Sequence, residues 1–179
     1  MPSFPNLPAP LSDGVVELRL ASDWDIPDIL IAHQDDAQLH RRLGLERPPS
    51  GAELGRRSER EPAERAAGTG LRLTIVEPGE RTGRGQLEVY DVRWEAGQAR
   101  IGIWVAPSRR GRGLASQALR LAASWLSEAC GLEHLTLTTT PDNLAMIGAA
   151  RGAGFTEAAQ APDGLSLTLS RPLPGPPTA

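Results

Sequence analysis

The sequence predicts a single α/β domain of the α+β kind, a mixed but mainly antiparallel central sheet with helices on both faces, in the order β-α-α-β-β-β-α-β-α-β-β. Three observations carry this. Segments 71–77, 85–93 and 99–105 have strand character and are joined by turn-rich connections, the pattern of an antiparallel meander. In the helical stretch that follows, Leu114, Ala118, Leu121, Ala122, Trp125, Leu126 and Ala129 fall on one face, with Gly131 at the position of a C-terminal cap. The whole chain has 179 residues, enough for one sizeable core and too few for two ordinary domains.

Taken in order, residues 1–12 and 172–179 are punctuated by proline and are expected to be loose, so the folded unit is expected over residues 13–171. The segment Val15 to Leu20 alternates, as VELRL, in the manner of a half-buried strand. Ser22 or Asp23 then caps a helix entered through Asp25-Ile26-Pro27. A second helix over residues 50–67 carries Glu53/Arg57 and Glu61/Arg65 at i,i+4, and Pro62 is expected to kink or split it. Beyond the amphipathic helix, residues 135–140 form a β-branched strand. Asp142 or Asn143 caps a short Ala-rich helix that runs to about Arg151, and two strands follow, around Gln160 and from Leu165 to Leu169.

Composition removes several classes of chemistry. All 19 basic residues are Arg, so there is no lysine for a Walker-type phosphate loop or a Schiff base. One Cys and three scattered His lack the spacings of a zinc site, and no metal is expected. A net charge of −3 gives no general attraction to nucleic acid or to an anionic membrane. No apolar run approaches the roughly 20 residues of a membrane span, and the N-terminus lacks the apolar stretch of a signal peptide, so a cytoplasmic protein is expected.

The most informative stretch is 101–115, IGIWVAPSRRGRGLA, where a strand ends at Pro107 and a helix begins after Gly113. Glycines let backbone N–H groups approach phosphate oxygens, and a helix N-terminus adds unpaired donors and about half a positive charge. Arg109, Arg110 and Arg112 add formal charge. A tight turn with solvated arginines has the same local sequence, and the pattern gains meaning from its context. That context is strand, glycine loop, amphipathic helix, Thr-rich strand, then Pro141-Asp142-Asn143 before a helix ending in Gly154-Phe155.

In this combination the chain resembles the GNAT acetyltransferases, and among them the branch of the ribosomal-protein N-terminal alanine acetyltransferases. Arg110-Gly111-Arg112-Gly113-Leu114-Ala115 fits that superfamily's Q/R-x-x-G-x-G/A pyrophosphate motif. The wider pattern runs over residues 15–155, with the close match in 99–155. The resemblance implies an acyl-CoA-dependent N-acyltransferase with acetyl-CoA as co-substrate. It implies that backbone amides of Arg110, Gly111, Arg112, Gly113, Leu114 and Ala115 hold the CoA pyrophosphate. It further implies that the backbone of Ile103, Trp104 and Val105 pairs with the pantetheine arm, in a strand splayed from its neighbour, and that Asn143 bonds the arm near the thiol. A plain helix cap is the competing role for Asn143, and core packing is the favoured one for the side chains of Trp104 and Trp125.

Three positions depart from the family pattern. Ala150 stands where many members carry a general-acid Tyr, Met146 where the resembled branch carries Ser, and Arg100 where an acidic residue commonly opens the strand. The remaining candidates lie on the preceding strand, where period-2 alternation puts Glu88 and Tyr90 on one face and Asp91 on the other. Glu88 is read as the base, against the competing role of a salt-bridged strand carboxylate, and Tyr90 as a proton donor, against that of a structural Tyr. An α-amine has a pKa near 8 against about 10.4 for lysine, roughly 3 kcal/mol easier to deprotonate, so a site without a clear base suits an α-amine. The expected partner is therefore an amine acceptor, a small molecule or a protein N-terminus, met in the region of residues 33–60, where Asp35 and Asp36 are candidates to attract a cation. The protein is expected to be a monomer or homodimer. Two rivals remain: a catalytically silent acyl-CoA-binding sensor, and a nucleotide- or phosphate-binding protein of another fold.

Overall fold

A computed structural model describes residues 2–7, 9–164 and 166–174. One eight-stranded sheet has the order β1-β2-β3-β4-β5-β6-β8-β7. Its strands are β1 (Leu11–Ser12), β2 (Glu17–Leu20), β3 (Leu71–Val76), β4 (Gly85–Arg93), β5 (Gln98–Val105), β6 (His134–Thr139), β7 (Thr156–Gln160) and β8 (Leu167–Pro172). Every pairing is antiparallel except β5 with β6. The helices are α1 (Ile26–Asp35), α2 (Leu39–Arg42), α3 (Gly51–Ala66), α4 (Leu114–Cys130) and α5 (Leu144–Gly152). The observed order is the expected one with two short additions, β1 and α2. The predicted strand start at Leu165 lies outside the described residues, as do residues 175–179 of the tail.

The period-2 pattern sorts the sheet into two unlike faces. Leu73, Leu87 and Ile103 are paired across β3, β4 and β5, and with Val89 and Ile101 they form an apolar face closed over by Leu119, Ala122 and Leu126 of α4. Arg72, Glu88 and Gly102, paired in the same three strands, lie on the opposite, polar face, which α3 meets through Glu61. The buried stripe of α4 includes Leu119 and Ala123, while Ala129 is exposed. That stripe is turned slightly from the expected one, because the helix packs on α5 as well as on the sheet.

Three expectations are corrected. Helix α3 runs unbroken from Gly51 to Ala66 through Pro62, which is exposed. The proline-rich start is built into the fold. Phe4 is 3% exposed, its ring centroid lies 5.1 Å from that of Trp94, and its N–H donates to Arg65 O at 3.2 Å. At the other end Leu173 is buried and donates its N–H to Glu133 O at 2.8 Å, while Ser127 Oγ donates to Pro174 O.

Candidate active site

The site begins where the sheet splits. β5 pairs with β6 only from Gln98/His134 to Arg100/Thr136, while along its other edge it stays paired with β4 as far as Val105. Ala106 N–H donates to Arg84 O at 2.7 Å, which fixes the alternation. Trp104 and Gly102 exchange hydrogen bonds with β4, and the backbone groups of Ile101, Ile103 and Val105 face the side that β6 has left. Val105 O is taken by Arg110 Nε at 3.0 Å. The Ile103 amide, past the last β6 pairing, opens into the gap.

A cavity of about 1050 Å³ fills this gap and runs along the glycine loop. Ile103, Trp104, Val105, Arg110, Gly111, Gly113, Leu114, Ala115 and Asn143 all line it, as do Glu88 and Tyr90, whereas Arg112 is exposed outside the lining. Leu39 and residues 43–45, between α1 and α3, overhang the polar side. Trp104 is half-buried in the cavity wall and not in the core, contrary to the reading of its side chain as core packing, while Trp125 does pack against the core.

The glycine loop fits a pyrophosphate. Gly111 and Gly113 have φ of 76° and 78°, a region open to glycine and strained for other residues, and a Cβ at either would point into open space. Helix α4 opens from Gly113 with no side-chain cap, and its first backbone bond over the loop is Gln117 N–H to Gly113 O at 3.0 Å. The N–H groups of Leu114, Ala115 and Ser116 are therefore the unpaired donors of a helix start, aimed where an anion fits.

The remaining polar groups are mostly committed. Arg110 pairs with Asp36 at 2.7 Å, so Asp36 tethers the loop to the C-terminal end of α1 and is not a free cation attractor. Burial pushes the Asp36 carboxyl up. The Arg110 and Gln38 hydrogen bonds and the Arg110 and Arg42 charges outweigh that and hold it below its usual range. Asn143 is the N-cap of α5: its Oδ1 accepts from Met146 N–H at 3.3 Å and its Nδ2 donates to Thr139 Oγ1 at 3.1 Å.

Glu88 lies in the cavity wall, with Oε2 taken by Arg57 at 2.8 Å and Oε1 by Arg72 at 2.5 Å. Arg72 also pairs with Glu61. Two guanidiniums bind the one carboxylate, which is the arrangement of the salt-bridged alternative and not of a free base. The Tyr90 ring lies under the Arg100 guanidinium, 5.5 Å away, and Arg100 donates to Thr138 Oγ1 at 3.0 Å. Ala150 is fully buried and so offers nothing to the cavity. Burial pushes the Cys130 thiol up to about 12, which keeps it un-ionised. Arg57 and Arg72 were missed as site residues, since nothing in the sequence relates α3 to a strand of the meander.

A split sheet beside an uncapped, glycine-led helix defines an α/β protein whose cleft between two diverging strands fits an extended, phosphorylated ligand. The chain belongs to the Acetyltransferase (GNAT) domain family, which it matches over residues 16–156, and whose members use acetyl-CoA as co-substrate. No curated protein matches it by sequence. Among solved structures it is similar to RimL, a ribosomal L7/L12 alpha-N-protein acetyltransferase in complex with coenzyme A (22% identity, TM-score 0.78, 92% of this chain and 97% of that one). It is also similar to Mycobacterium smegmatis RimJ in complex with CoA-disulfide (24%, 0.74, 92% and 86%). A third similar structure is spermidine N-acetyltransferase from Vibrio cholerae in complex with CoA and spermine (15%, 0.76, 90% and 97%). No helix among the described residues is long and apolar enough to cross a membrane, and they hold no cluster of three or more metal-ligating His, Cys, Asp or Glu.

Proposed function

We propose that the chain transfers an acetyl group from acetyl-CoA to a primary amine, and that this amine is the α-amino group of a peptide or protein N-terminus. One observation carries the reading: the Ile103 amide opens into a cavity that one wall joins to the glycine loop and the other to Glu88 and Tyr90. The Arg110 N–H is turned to Pro107 O at 3.4 Å, so of the expected loop amides those from Gly111 to Ala115 hold the pyrophosphate. The backbone of Ile103 and Val105 receives the arm, and Asn143 sets the start of α5 against it.

In the transfer, the lone pair of a neutral amine attacks the thioester carbonyl carbon and the N–C bond forms. Ile103 N–H donates to the oxyanion. Collapse breaks the C–S bond, the attacking nitrogen gives up one proton as the amide forms, and the thiolate takes up one, directly or through water, to leave as free CoA. With both Glu88 oxygens bound to arginines, the amine has to arrive already deprotonated, which a group of pKa near 8 does far more often than lysine at about 10.4. The RimL and RimJ likenesses support this choice of acceptor.

The rival reading, binding without turnover, is favoured by the same capture of Glu88 and by the absence of an acid at Ala150. Release of free thiol from acetyl-CoA in the presence of short peptides separates the two. The transfer reading expects peptide-dependent thiol release and acetylated N-termini by mass spectrometry. Stabilisation by CoA with no thiol release from any amine would establish the sensor instead.

A further inference from the structure

The cavity's polar side carries an excess of positive charge. Arg42, Arg57, Arg72 and Arg100 all line it, against a single lining carboxylate, Glu88. Three of the four are held in ion pairs: Arg42 with Asp36, which it shares with Arg110, Arg57 with Glu88, and Arg72 with Glu61 and Glu88. Arg100 forms no ion pair among the described residues. Its guanidinium makes one hydrogen bond, to Thr138 Oγ1 at 3.0 Å, and rests over the Tyr90 ring.

The position of Arg100 matters as much as its charge. It belongs to the last residue pair before β5 and β6 part, on the same face as Glu88 and Gly102. Thr138 lies two residues beyond Thr136, the partner of Arg100, so the guanidinium leans along the strand toward Ile103. The Ile103 α-carbon is three strand residues from that of Arg100, about 10 Å. A planar fork with five N–H donors, only one of them engaged among the described residues, is suited to grip a carboxylate with two parallel bonds.

We propose that Arg100 is the acceptor-selecting residue, and that the acceptor is a primary amine carrying a carboxylate within a few atoms of it. This rests on the transfer of acetyl to a primary amine proposed above and adds a requirement on that amine, which a free amino acid can meet as well as a peptide N-terminus. Either an acidic side chain in the first residues of a peptide or the α-carboxylate of a free amino acid supplies that chemistry. A polycationic amine meets the unpaired charge of Arg100 and finds the one lining carboxylate, Glu88, already bound by two arginines, and is disfavoured by like charge.

The test compares kcat/KM for peptides that begin Ala-Glu, Ala-Ala and Ala-Lys, for free alanine, and for spermidine. A parallel calorimetric titration measures binding of the same compounds to the CoA-loaded protein. The acidic peptide, free alanine, or both are expected to be preferred over the neutral peptide, which tells the two sources apart, with Ala-Lys and spermidine weakest. Arg100→Ala is expected to lower the acidic-to-neutral ratio about tenfold, the scale of a lost charged hydrogen bond, and Arg100→Lys to restore part of it. Arg100→Glu is expected to invert the order toward Ala-Lys. The ratio cancels any general loss of activity or stability in a variant. Equal rates or affinities for the acidic, zwitterionic and neutral compounds, or a ratio unmoved by Arg100→Ala, would overturn the inference and leave acetyl transfer standing. Preferential binding of carboxylated amines with no turnover of any would sustain the inference and overturn the transfer.

Discussion

Asp36 holds Arg110 at 2.7 Å, and through this one ion pair the end of α1 fixes the glycine loop. Arg110 is then clamped between that carboxylate and Val105 O, the last carbonyl of β5. Asp36→Asn is expected to loosen the loop and weaken CoA binding several-fold without unfolding the protein. Because the folded-state value of Asp36 lies below its ordinary 3.8, the stability it contributes is present above that value and is lost as pH falls through the lowered one. Thermal unfolding of wild type and variant, with and without CoA, should differ at neutral pH and converge in acid.

Gly113 is the sharper test of the cofactor loop. Its φ of 78° strains any side chain, and the space beside it is open, so a branched residue there meets the incoming phosphate and not the protein. Gly113→Val is expected to cost about 1–3 kcal/mol of stability and to abolish the shift of roughly 2.7 kcal/mol that CoA at 100 times its dissociation constant gives the wild type. A folded Gly113→Val protein with the full CoA shift would remove the loop from the site.

Phe4 gives a stability prediction that the sequence argues against. Buried at 3% exposure against Trp94, it is expected to cost about 3 kcal/mol when replaced by Ala, a fall in melting temperature of roughly 6–12 °C. Calorimetry of Phe4→Ala checks this, and an unchanged melting temperature would return residues 1–12 to the status of a loose segment.

The meander, the α4 stripe and the glycine loop were legible because each is written in local period and local turn chemistry. What the sequence hid is what depends on distant chain segments. Phe4 reaches Trp94, Asp36 reaches Arg110, and Arg57 reaches Glu88, and in none of these pairs does either residue carry a local mark of its partner. Pro62 misled for the related reason that its cost depends on whether the freed carbonyl meets water, a property of the tertiary surface. The candidate site's cavity was therefore readable where backbone lines it and unreadable where side chains from α1 and α3 complete it.

Glu88 is where the two kinds of information collide. Read from alternation it is the base; in place, each of its oxygens is bound by an arginine. Glu88→Gln keeps the shape and removes the charge, leaving the buried Arg72 with Glu61 alone. The expected loss of stability is roughly 1 kcal/mol, kept small because Glu88 is partly exposed. Turnover is expected to fall only a few-fold. The diagnostic is the pH profile of kcat/KM: if the titrating group is the acceptor's α-amine, the acid limb stays centred near pH 8 in both proteins, and it moves when the acceptor's own pKa is changed. A Glu88→Gln enzyme whose acid limb disappeared would make Glu88 the base after all, and would require Arg57 and Arg72 to release it when acceptor binds.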